Sequence, residues 1–157
     1  MIVLTRIDDR LIHGQVVEGW LRVIQAARVL VVSDQAAGDA FQVSLMRLAL
    51  PPEAGLSVLS VGKAAAALPA AAAGEERVLV LMPGLKEARR LVEAGWAPSS
   101  LNLGGLHDAP GRKSFTPSLS LGAEDKEDIR FLLSKKISVE TRALPGDAPV
   151  PVEDYLT

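Results

Sequence analysis

The chain reads as an α/β protein: a single-domain, open, mostly parallel, doubly wound sheet with helices on both faces. Three observations predict this. Short runs rich in Val, Leu and Ile alternate with helical patterns along the whole chain. The strand candidates at 28–32 and 77–82 are continuously apolar after their leading arginine, as parallel strands buried on both faces are. The length, 157 residues, suits one domain and would be cramped for two; with aromatics at only 4%, the core must be built from aliphatic side chains and alanine. No internal repeat or linker divides the chain, so residues 1–157 are read as one domain, with a Pro-rich tail from about residue 144.

Taken in order, residues 2–5 form a first strand, and 6–13 a loop from strand to helix. Val16, Val17, Trp20, Leu21, Val23 and Ile24 recur at helical spacing, so a helix opens at Gly14 and runs to about Ala27. Residues 28–32 are the second strand, and Ser33-Asp34 can cap a helix after it. A helix covers 41–50 and stops at Pro51-Pro52. Residues 56–61 are a third strand. The Ala-rich stretch 63–73 is helical by propensity, with Pro69 expected to break or kink it. A fourth strand at 77–82 turns through Pro83-Gly84 into a helix at 85–94, with Gly95 as its C-cap. Residues 100–103 are a short fifth strand ending in Gly104-Gly105-Leu106-His107. Residues 108–117 read as a polar surface loop and 118–121 as a short strand. The acids of 123–128 suit the first turn of a helix that continues to Leu133. Residues 137–142 form a last strand with partial alternation, suited to an edge, and the tail beyond is extended.

Composition removes several function classes. A formal net charge of −2 gives no electrostatic case for nucleic acid. The absence of cysteine removes thiolate chemistry, and two histidines are too few for a multi-histidine zinc site. No metal or cofactor is expected. No basic and apolar leader opens the chain, and no apolar run approaches the roughly 20 residues that span a bilayer, so a cytoplasmic location without membrane insertion is expected. No Gly-x-Gly-x-x-Gly follows the first strand, Gly111-Arg-Lys-Ser114 lacks the spacing of a phosphate-binding P-loop, and there is no Gly-x-Ser-x-Gly elbow. Asp8-Asp9 could suggest acid–base or magnesium chemistry, but adjacent loop residues seldom converge, and hydrogen bonding that shapes the loop is the simpler reading.

What remains is the loop Arg6-Ile-Asp-Asp-Arg-Leu-Ile-His-Gly-Gln-Val16. It places His13 at the mouth of a helix, three residues after Arg10, and at the carboxyl end of a strand where open sheets bind ligands. A neutral imidazole is a good nucleophile toward a phosphoryl group near pH 7, and the N–P bond stays reactive enough for onward transfer. The amides of Gly14, Gln15 and Val16 could hold the phosphate oxygens, and Gly14 has no side chain to crowd them. Arg10 can add a two-pronged, charge-assisted contact. Asp9, Asp34 and His107 are possible supporting residues. Asp34 could equally be a helix cap, and His107 could either steady a phosphate or partner, or hydrogen-bond across the Gly-Gly turn.

This loop resembles the active-site signature of the IIB components of the bacterial phosphoenolpyruvate:sugar phosphotransferase system, mannose/fructose/sorbose family. The resemblance continues through Val31-Val-Ser-Asp34, Leu101-Asn-Leu-Gly-Gly-Leu-His107, Glu124-Asp125 and Val139-Glu-Thr-Arg-Ala-Leu-Pro145, almost the whole chain. It implies that His13 matches the family's phosphorylated histidine and Arg10 its phosphate-binding arginine. It also implies an enzyme that takes phosphate from a phosphohistidine of the IIA component and passes it to a sugar held by membrane IIC/IID components. No IIA sequence is recognised here, so a separate donor protein is expected. A regulatory phosphoacceptor uncoupled from sugar transport is the alternative; a nucleotide-binding α/β domain is more distant.

Overall fold

A computed structural model describes residues 1–156. Among the described residues, nine strands form two sheets. β1 (Ile2–Asp8), β2 (Arg28–Val32), β3 (Gly55–Leu59), β4 (Val78–Met82), β5 (Ser100–Gly105), β8 (Ser138–Thr141) and β9 (Val150–Pro151) make a seven-stranded sheet ordered β3-β2-β4-β1-β5-β8-β9; β6 (Lys113–Thr116) and β7 (Leu119–Leu121) make a small hairpin. Every pairing in the large sheet is parallel except β8 with β9.

Strand alternation builds two cores. In β2, Leu30 and Val32 face one side with Val78, Val80 and Met82 of β4, while Val29 and Val31 face the other with Leu79 and Leu81. The first side is covered by α3 (Val61–Ala73), α4 (Leu85–Glu93) and α5 (Ala123–Ser134). The second is covered by a π-helix (Gln15–Leu21) together with α1 (Asp34–Ala37) and α2 (Ala40–Ala49). Helices on both faces of a mostly parallel sheet are the doubly wound arrangement read from the sequence.

Several expectations need correction. β1 continues to Asp8, because Arg6 and Ile7 still pair with β4 and Asp8 with β5. Residues 6 and 8, read as loop, belong to the strand, and both side chains are fully buried and paired with one another. The helix after His13 is a wide π turn, ends near Val23, and leaves Gln25 in the left-handed region (φ 52°). Pro69 does not stop α3. Its ring is on the exposed side, so the carbonyl it deprives of a donor can take water, while Val61, Ala64 and Leu68 hold the opposite face in the core. The polar loop 108–117 contains β6. β8 is not an edge, since β9 from the tail pairs beside it, and a short 3-10 helix (Val152–Tyr155) then buries Val152. Other readings hold: Ser33 Oγ accepts from the Ala36 amide 3.1 Å away, and Gly95, at φ 110°, turns the chain after α4.

The chain leaves β1 onto the π-helix on one face, whereas β5 leads through the hairpin to α5 on the other. The carboxyl ends of β1 and β5 therefore meet at a switch in winding direction, the place where an open α/β sheet leaves a crevice.

Candidate functional site

Arg6 and Asp8 are two apart on β1 and so point to the same face, where the Arg6 Nη2 donates to Asp8 Oδ2 at 3.1 Å. Two charged side chains can lie there only because β5 carries no side chain at positions 104 and 105. A Cβ on Gly104 would overlap the Arg6 guanidinium, and one on Gly105 would stand 2.9 Å from Asp8 Oδ1. The Gly-Gly pair is thus a groove in β5 that receives the guanidinium and the carboxylate. Gly104→Ala is expected to displace Arg6 and weaken the fold by about 2–3 kcal/mol, a fall of roughly 4–12 °C in Tm. Thermal unfolding followed by circular dichroism measures it, and an unchanged Tm would show that Arg6 has another low-energy place to go.

Asp8 organises the loop between β1 and the π-helix. Its Oδ2 lies 3.0 Å from His13 Nε2, and its Oδ1 accepts from the Arg10 amide at 3.1 Å and lies 3.6 Å from Arg10 Nε. The chain turns tightly enough to do this because the Leu11 amide donates to the Asp8 carbonyl at 2.9 Å, with Leu11 itself in the left-handed region (φ 57°). Burial of Leu11 and Ile12 holds that turn down, which offsets the strain of a positive φ on a branched residue. Arg10 and His13 are therefore placed on the two oxygens of one carboxylate. Nε2 of His13 is engaged by Asp8, and its other ring nitrogen, Nδ1, has no protein partner among the described residues.

The rim of the loop suits an anion. No protein acceptor is found among the described residues for the amides of Gly14, Gln15 and Val16, and the first loop-to-helix bond runs from the Val17 amide to the His13 carbonyl at 2.9 Å. A Cβ on Gly14 would meet nothing within 4 Å, so the space above the loop is open. Arg10 is 42% exposed and its Nη2 donates to Gln15 Oε1 at 3.0 Å, which stretches its guanidinium across the helix mouth. Gln15 also borders a cavity of about 390 Å³ that reaches to Leu103, Thr116 and Thr141. The Val16 side chain is fully buried, so only its backbone can serve a ligand.

Behind Asp8 stands a buttress of buried polar groups. Arg6 donates from Nη1 to Asn102 Oδ1 and to the Arg142 carbonyl, and from Nη2 to the Ala143 carbonyl as well as to Asp8. Asn102 Nδ2 in turn donates to Glu140 Oε1 at 3.1 Å. The Arg6 and Arg142 guanidinium groups lie over the ring of Trp20 in the π-helix, 4.9 and 5.1 Å from its centre, and Trp20 Nε1 donates to the Ala143 carbonyl at 2.9 Å. Burial pulls the Arg6 guanidinium below its ordinary pKa, and Asp8 opposes that pull. Wide π turns recur at functional sites, and this one brings Trp20 under the loop.

The structure thus brings Arg10, His13 and Gln15 together, with the amides of Gly14 and Val16 beside them. It separates the others. Asp34 is a brace far from His13: its Oδ1 accepts from the Val61 amide at the start of α3 and its Oδ2 from Arg90 of α4, both at 2.8 Å. Those two donors, the amide first, hold its carboxyl below the ordinary carboxylate range. Asp9 does not touch His13 either; it grips His107, through the backbone amide at 2.7 Å and ring Nδ1 at 2.6 Å. Sequence reasoning missed Asp8 and Arg6 as the support of the site. The available signal was their spacing of two at the end of an apolar strand, which puts both on one face.

Fold and site together define a class: an open α/β protein with a histidine held by a buried carboxylate at a helix mouth, at the sheet's switch point. The model of the family described as "PTS system sorbose subfamily IIB component" matches residues 2–157, and the chain belongs to that family. It is a IIB component of the sugar phosphotransferase system, a subunit of a sugar phosphotransferase. The sorbose-specific EIIB component of Klebsiella pneumoniae is 33% identical over 155 residues, covering 99% of this chain and 94% of that protein. The fructose-specific EIIB component of Bacillus subtilis is 35% identical over 155 residues, covering 99% and 93%. The chain also matches 49% of the mannose-specific EIIAB component of Escherichia coli, at 32% identity over its whole length. The crystal structure of the IIBSor domain of the K. pneumoniae sorbose permease superposes with a TM-score of 0.90, covering 98% of this chain and 94% of that one. Among the described residues no helix is long and apolar enough to cross a membrane.

Proposed function

We propose that this chain carries a phosphoryl group on Nδ1 of His13, received from a phosphohistidine of a IIA component and passed to a sugar held by membrane IIC and IID components at the cytoplasmic face. The observation that carries this reading is the 3.0 Å contact between His13 Nε2 and the buried Asp8 carboxylate. A carboxylate only accepts, so this contact supports the tautomer with the proton on Nε2, in which the Nδ1 lone pair attacks phosphorus. As the donor's N–P bond breaks and the new one forms, charge spreads over the three equatorial oxygens. Arg10 and the amides of Gly14, Gln15 and Val16 are the groups available to take them. After transfer, the ring carries phosphate on Nδ1 and a proton on Nε2, and Asp8 stabilises that charged form. Neither nucleotide nor metal is needed when the donor is itself a phosphohistidine. Relatives of similar identity are named for sorbose, fructose and mannose.

The test is to incubate the purified protein with phosphoenolpyruvate, enzyme I, the histidine phosphocarrier and a IIA component. The expected result is one acid-labile, alkali-stable phosphate per chain. An acid-stable label, or no label when the IIA component is shown to be phosphorylated, would overturn the reading.

A further inference from the structure

One oxygen of Asp8 serves two cationic partners. Oδ2 accepts from Arg6 Nη2 at 3.1 Å on the buried side and lies 3.0 Å from His13 Nε2 on the other. The Asp8 side chain is out of reach of solvent, so its charge is shared among Arg6, His13 and Arg10 alone. A carboxylate oxygen that already accepts from a guanidinium is a weaker acceptor for a second donor, and arginine keeps its charge even when buried. Arg6 is held from behind in turn. Its Nη1 donates to Asn102 Oδ1, and Asn102 Nδ2 donates to Glu140 Oε1 at 3.1 Å. Burial pulls the Arg6 pKa down, and Asp8 and, more weakly, the charge of Glu140 oppose that pull. Glu140, Asn102, Arg6 and Asp8 thus form one line of polar contacts that ends on the His13 ring.

We infer that Arg6 is a positioning residue that sets how readily the phosphoryl group leaves His13, by weakening the grip of Asp8 on the ring. The inference rests on the proposed phosphohistidine at Nδ1 of His13. The ring is neutral before transfer and positively charged after it, with the proton on Nε2 in both states. Asp8 therefore stabilises the phosphorylated ring more than the free one, and unopposed it would hold the phosphoryl group tightly. Arg6 offsets part of that difference through the shared oxygen. The phosphoryl oxygens would lie beyond Nδ1 at the open rim, screened by Arg10 and water, so the buried guanidinium acts mainly through the ring. Exchange with a IIA component isolates the effect, because no proton is lost. The IIA ring nitrogen forms its bond to phosphorus, and the His13 Nδ1–P bond breaks with its electron pair returning to the ring. The positive charge passes from one histidine to the other.

The equilibrium of that exchange is the test. Wild type, Arg6→Met and Glu140→Gln are each mixed with the same phosphorylated IIA component, and phosphorus NMR reads how much phosphate each partner holds. Arg6→Met removes the charge and keeps an unbranched side chain; it is expected to shift the equilibrium about tenfold towards phosphorylated His13. Glu140→Gln is isosteric, and Glu140 makes its contacts to Asn102 and Arg142, away from Asp8 and His13. With that charge gone, Arg6 draws more fully on Asp8, and the equilibrium should move about threefold towards phosphorylated IIA. Opposite shifts from the two ends of one line are a result that a merely loosened fold does not give. Circular dichroism reports folding, and if Arg6→Met does not fold, Glu140→Gln decides alone. An equilibrium in Glu140→Gln equal to wild type, or shifted towards phosphorylated His13, would overturn the inference. Wild-type protein that takes no phosphate would instead overturn the phosphohistidine reading, and this inference with it.

Discussion

His13→Ala is expected to accept no detectable phosphate from IIA while remaining folded. The other histidine, His107, is not expected to replace it, because its Nδ1 is committed to Asp9. The structural cost is modest. His13 makes one side-chain bond, to Asp8, and Asp8 keeps Arg6 and the Arg10 amide when the ring is removed. Losing one charge-assisted hydrogen bond whose partner stays satisfied costs about 1–2 kcal/mol, a fall of roughly 2–8 °C in Tm for a chain of this size. Labelling from phosphoenolpyruvate, run beside thermal unfolding, separates loss of the nucleophile from loss of the fold. A labelled His13→Ala protein would place the acceptor elsewhere.

Arg10→Ala should slow phosphorylation of His13 by about 10²- to 10³-fold, equivalent to roughly 3–4 kcal/mol in the barrier, the usual worth of a preorganised donor aimed at developing charge. Stability should hardly change. Arg10 is largely exposed, its Nε stands 3.6 Å from Asp8, and Arg6 already satisfies that carboxylate from the buried side. An ion pair half in water contributes at most about 1 kcal/mol. Arg10→Lys should recover only part of the rate, since an ammonium supplies charge without the planar two-pronged contact. Rapid-quench transfer from phosphorylated IIA reads the effect; near-normal rates in Arg10→Ala would remove Arg10 from the mechanism.

What could be read from the sequence was what is local. β2 and β4 are runs of aliphatic side chains long enough to identify alone, and His13, Arg10 and the helix mouth share one short stretch. Properties that depend on remote partners could not be read. Arg6 and Asp8 look like loop residues until Gly104 and Gly105, nearly a hundred residues on, are seen to leave room for them. Asp8 and Asp9 do not converge, as adjacent residues seldom do, but the partner each takes, His13 or His107, emerges only in the fold. Asp34 has the look of a strand-end site residue; only the positions of Val61 and Arg90 show it to be a brace. Pro69 and the tail erred for the same reason: an exposed ring face and a vacant place beside β8 are tertiary facts.

The central claim is that Asp8 holds Nε2 of His13 so that Nδ1 takes the phosphate. Nitrogen-15 NMR of the imidazole rings, recorded before and after phosphorylation by IIA, tests it most directly. Before transfer, the His13 ring should show a protonated Nε2 and a lone pair on Nδ1; afterwards Nδ1 should couple to phosphorus while Nε2 keeps its proton. Phosphorus coupled to Nε2 of His13, or to either nitrogen of His107, would contradict the account.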